Sequence, residues 1–102
     1  MLFDNGNLDA TLAAAAGDDR MLLEELRSAF AASVARQVDL LRRARCDANW
    51  LMAAQRLKGL ASSFHAADLI ALADEAAQGA PSDPVVVRKI EAYLAEHFHS
   101  RD

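Results

Sequence analysis

Ala54-Gln55-Arg56-Leu57-Lys58-Gly59 is the stretch on which the reading of this chain turns. In a helix it sets Lys58 and Gly59, three and four residues after Gln55, on one side. A glycine inside a helix costs roughly 1 kcal/mol relative to alanine. The chain holds four glycines. Gly17 and Gly79 fall where helices are expected to end, and Gly6 lies near the start of the chain. Gly59 alone interrupts a strong helical pattern, beside a cation.

Working outward, the punctuation is helical throughout. Asn7 is expected to cap a short first helix that ends at Gly17. Asp18 or Asp19 caps the second, in which Leu23, Leu26, Phe30, Val34, Val38 and Leu41 step by three or four as one apolar stripe to about residue 45. Glu24, Glu25, Arg27, Arg36, Arg42 and Arg43 lie largely off it. Asp47 starts the third helix, with Leu51, Ala54, Leu57, Ala61 and Phe64 as its core stripe and Trp50 as a core or boundary anchor. A fourth helix from about Ala67 to Gln78 turns Leu69, Leu72, Ala73 and Ala76 inward and stops at Gly79. Asp83 as N-cap and Pro84 at the first helical position open the last helix. Its stripe is Val86, Ile90, Tyr93 or Leu94, and His97 or Phe98. Short connections favour antiparallel neighbours. The fold expected is therefore all-α: an up-down-up-down antiparallel four-helix bundle with a short extra N-terminal helix.

Bulk properties narrow the classes. A chain of 102 residues, 53% hydrophobic, is expected to form a single domain over 1–102 with its core at about 8–98. A net charge of −4 and a pI near 5.2 argue against nucleic acid as a partner. No apolar run approaches the ~18 residues of a membrane helix, so no membrane partner is expected. Met1-Leu2-Phe3-Asp4 lacks the basic start and apolar centre of a signal peptide. The single cysteine, Cys46, has no internal partner and suits a reducing compartment. A cytoplasmic protein is the expectation.

On the third helix Gln55 and Leu57 point nearly opposite ways, at 100° per residue. If Leu57 is core, Gln55 faces outward, and Met52, Lys58, Gly59 and Ser62 share its face. That surface is a small apolar lip, a polar centre, a cation and a gap. Two readings stand: a solvated face whose glycine permits close helix packing, or a docking face for another protein with Lys58 available to an anion.

In this register the chain resembles a histidine-containing phosphotransfer (HPt) domain. That family's motif is His-x-Leu-Lys-Gly on the third helix, with a further glycine ten residues after the His. Gly17-Asp18, Leu22-Leu23, Leu26 and Phe30 match the family's lead-in. Asp47 and Trp50 match the usual start of the motif helix, and Leu57-Lys58-Gly59, Ala61, Ala66, Leu69 and Leu72 match in register. The likeness spans roughly residues 8 to 95. Two positions depart from the pattern: Gln55 stands where the phospho-accepting His belongs, and His65 where the second glycine belongs.

The resemblance implies a protein that exchanges phosphoryl groups with receiver aspartates, and the first departure removes the means. Attack on phosphorus needs a free nitrogen lone pair. An imidazole has one near neutral pH. A carboxamide nitrogen does not, so Gln55 donates and accepts hydrogen bonds but holds no phosphoryl group. Lys58 resembles the residue that balances the phosphate charge and Gly59 the one that clears room for the partner. His65 is expected at the junction of the third and fourth helices. On a straight helix it would lie about 15 Å along the axis and about 80° around from Gln55. His97 and His99, two residues apart, do not share a helical face and make no expected metal pair. Arg56 flanks Gln55 and is either solvated or on the rim of the site. Nothing around Cys46 demands thiolate chemistry.

The expected function is thus a non-catalytic binding module. It would dock on a response-regulator receiver domain or a histidine kinase through Met52, Gln55, Arg56, Lys58, Gly59 and Ser62, with no cofactor and no metal. Family members lacking the His act as decoys that blunt a phosphorelay. The alternatives are relay through another residue such as His65, a helical scaffold or oligomerisation domain, and an engineered replacement of an active His by Gln55.

Overall fold

The computed structural model describes residues 6–81 and 83–98. It is all-α: helices α1 (Gly6–Ala16), α2 (Arg20–Arg43), α3 (Asp47–Ser63), α4 (Ala67–Gln78) and α5 (Pro84–Phe98), with no strand among the described residues. Helix α1 packs on α2. The other four close a circuit in which α2 meets α3 and α5, and α4 meets α3 and α5.

Local signals set the ends. Gly17 takes φ +64 just past α1, the left-handed conformation that terminates helices and that a bare backbone adopts without steric cost. The Asp19 carboxylate accepts from the Leu22 amide at 3.0 Å and caps α2. The Asp83 carboxylate accepts from the Val85 amide at 2.9 Å, with Pro84 at the first helical position of α5. Asn7 does not act as a cap. It lies inside α1, where its carbonyl accepts from the Thr11 hydroxyl at 2.8 Å.

One apolar cluster runs through all five helices. Phe30, Val34, Val38 and Leu41 are buried along α2, with Leu23 and Leu26 half-buried. Leu69, Leu72, Ala73 and Ala76 are buried on α4, and Val86, Val87, Ile90 and Tyr93 on α5. On α3 the inward residues are Trp50, Ala53, Ala54, Leu57 and Ala61. Leu51, expected in that stripe, is instead exposed. The correction has a specific cause. The Trp50 indole N–H donates to the Ala76 carbonyl at 2.7 Å inside the core. That carbonyl lies in the last turn of α4, where it also receives the Gly79 amide. With Trp50 turned inward, Leu51 lies about 100° around the helix.

Away from Trp50, Phe30 on α2 stacks at 4.9 Å on Phe64, the residue after α3, and at 5.6 Å on Phe98 of α5. Arg27 does not merely sit in solvent off its stripe. It pairs with Asp9 at 3.1 Å, donates to the His97 carbonyl at 2.7 Å and lies 4.9 Å over the Phe98 ring, joining α1, α2 and α5. Among the described residues, no helix is long and apolar enough to cross a membrane.

Candidate docking face on the third helix

Helix α3 presents the expected face. With Trp50, Leu57 and Ala61 buried, Met52, Gln55, Arg56, Lys58, Gly59 and Ser62 are all exposed. Met52 retains 48% of its surface, enough to form an apolar lip. Gln55 makes no hydrogen bond to a described residue, so its carboxamide is open to an outside group.

Gly59 separates the two readings of this face. A Cβ built on it would meet nothing within 4 Å. Neighbouring helices do not need it to be glycine, so close helix packing does not explain it. The Gly59 carbonyl does accept from the Ser63 hydroxyl at 3.0 Å. That bond uses the backbone alone and any residue would allow it.

Lys58 is not a free cation. Its Nζ lies 2.9 Å from Oδ1 of Asp74 on α4, both side chains being about half exposed. A pair this open to water is worth ~0.2–1 kcal/mol and exchanges readily with a better anion. Sequence reasoning missed Asp74, because nothing in the spacing of two helices says which of their surface charges will meet.

His65 lies beyond the end of α3, exposed, with φ +58. Its amide donates to the Ser62 carbonyl at 3.2 Å, and the next amide, of Ala66, donates to Ala61 at 2.9 Å. This pair of bonds is a Schellman closure, with His65 at the position glycine usually takes. Buried Ala66 and Ala61 supply its apolar contact. The second departure from the motif therefore falls on a helix-terminating position. A left-handed residue with a Cβ costs roughly 1–2 kcal/mol there, and His is among the side chains that adopt it more often than most.

Beside this face an open groove runs between the end of α2 and the first half of α3. Leu40 and Met52 wall it, and Arg43, Arg45, Asn49 and Arg56 project around it. Ala44 and Ala53 form its floor. Arg43 pairs with Asp39 at 3.3 Å. Arg45 and Arg56 make no ion pair with a described residue.

Cys46 is exposed at the N-cap of α3 and its thiol makes no capping bond. His97 is half-buried with its ring 5.0 Å from Tyr93, while His99 lies outside the described residues. No group of three potential metal ligands occurs among the described residues. Compared with known proteins, the chain is matched by no family model, no curated protein and no solved structure.

Proposed function

We propose that this chain is a docking protein of the histidine-phosphotransfer type that no longer carries phosphate. It binds a receiver domain or a histidine kinase through the exposed face of α3, with Gln55 in place of the phosphoryl acceptor. The closed circuit of α2, α3, α4 and α5, with α1 added on α2, supports reading the fold as an up-down-up-down antiparallel four-helix bundle with a short extra helix.

The observation that carries this reading is Gly59. It sits within α3, exposed, and no described residue beyond its own helical turn lies within 4 Å of the place a Cβ would occupy. Its helix cost of roughly 1 kcal/mol is not repaid inside the fold. A surface approached closely by another molecule repays it. Around Gly59 stand Met52 for apolar contact, Gln55 for hydrogen bonding and Lys58 for charge, while the group that would form a covalent phosphoryl bond is missing.

The test uses a panel of receiver domains phosphorylated with acetyl phosphate. The expected result is binding to at least one receiver with no phosphoryl label on this chain. Gly59→Gln should abolish that binding. Label on the chain overturns the non-relay reading, and His65→Ala then shows whether that imidazole carries it. Binding untouched by Gly59→Gln moves the docking surface elsewhere.

A further inference from the structure

We propose that the groove between the end of α2 and the start of α3 receives an acidic, leucine-bearing segment of the partner protein. Its charge is read by Arg45 and Arg56 rather than by Lys58. The inference rests on the exposed face of α3 being the docking face, since Met52 and Arg56 belong to both.

Acidic residues outnumber basic ones 15 to 11 in this chain, yet no carboxylate lines the groove and three arginines do. Arg43 is already held by Asp39, and Lys58 by Asp74. The Arg45 and Arg56 side chains make no ion pair or hydrogen bond with a described residue, and a planar guanidinium matches a carboxylate with two parallel hydrogen bonds. Between them, Leu40 and Met52 leave 37% and 48% of their surfaces exposed, an apolar trough bordered by cations. Met is unbranched and adapts to the shape of an incoming aliphatic side chain. Nucleic acid also carries anions, but a chain of net charge −4 repels a long polyanion, whereas a short acidic segment meets only the local field.

The probe is a fluorescein-labelled peptide of alternating Glu and Leu, titrated with the full chain and followed by anisotropy. A peptide with Gln in place of Glu and a single-stranded thymidine oligonucleotide run beside it. The acidic peptide should bind about 10-fold or more tightly than the Gln peptide, and Arg45→Glu and Arg56→Glu should each weaken it by about 10-fold. Both sites are exposed, and an acid just before α3 favours that helix terminus, so the variants should keep wild-type circular dichroism. Equal affinity for the Glu and Gln peptides, affinity unchanged by both reversals, absence of binding, or tighter binding of the oligonucleotide overturns the proposal. Gly59 lies outside the groove, so Gly59→Gln should leave peptide binding unchanged while it blocks the receiver. If Gly59→Gln blocks the receiver but the arginine reversals do nothing, the groove assignment alone has failed. If the reversals weaken the peptide and Gly59→Gln does not block the receiver, it is the docking face at Gln55 that has failed.

Discussion

The two faces of α3 use small residues for opposite purposes. Inward, Ala53, Ala54 and Ala61 are buried beside Trp50 and Leu57. Their short side chains let α3 close on α2 and α4, and the two large ones fill the space between. Outward, at the smallest residue of all, Gly59, an added Cβ would meet nothing within 4 Å. A small residue in a helix is usually explained by packing, and on the inward face that explanation holds. On the outward face the clearance is turned to solvent, and packing inside the fold does not account for it.

Trp50→Ala tests the inward face most severely. It removes a ring with 2% of its surface exposed and strips the indole donor from the Ala76 carbonyl. A loss of about 3–5 kcal/mol is expected in urea denaturation. A loss under ~1 kcal/mol would mean that the face is anchored elsewhere. His65→Gly probes the point where both faces end. Glycine accepts φ +58 freely, so the variant should gain about 1 kcal/mol, roughly 4–8 °C in melting temperature. No gain would show that the imidazole makes a compensating contact.

Gly59→Ala bears directly on the outward face. With open space at the Cβ position it should stabilise the chain by up to ~1 kcal/mol. Destabilisation would return Gly59 to a packing role and remove the contrast between the faces. Asp74→Ala should do least: breaking a half-exposed pair with Lys58 should shift stability by no more than ~0.5 kcal/mol. A larger loss would show that the pair joins α3 to α4 rather than decorating them.

Much of the fold was legible because its determinants are local. Asp19, Asp83 and Pro84 act on backbone groups within a few residues of themselves, and Gly17 ends α1 through its own dihedral angle. The stripes of α2 and α4 were also legible, since each has one apolar face. The phase of α3 was less so. Apolar side chains at 50, 51, 52, 53 and 54 surround its first turns, so hydrophobicity alone does not say which side is buried. The choice of Trp50 over Leu51 goes with a carbonyl on another helix, at Ala76, that accepts from the indole N–H. Among the site residues, Met52, Gln55, Arg56, Lys58, Gly59 and Ser62 were placed on the surface by their offset from Leu57, which needs only helix geometry. The Asp74 partner of Lys58 and the arginine groove needed two helices in register.

By itself, then, the sequence determined the five helices, most of their ends and the outward direction of Gln55. Those depend on backbone conformation and on side chains a turn apart. Only the tertiary structure decided that Gly59 faces open space, that Lys58 is already paired and that Arg45 and Arg56 border one apolar trough. Each of these is a relation between segments distant in the chain, and such relations exist only once the helices have packed.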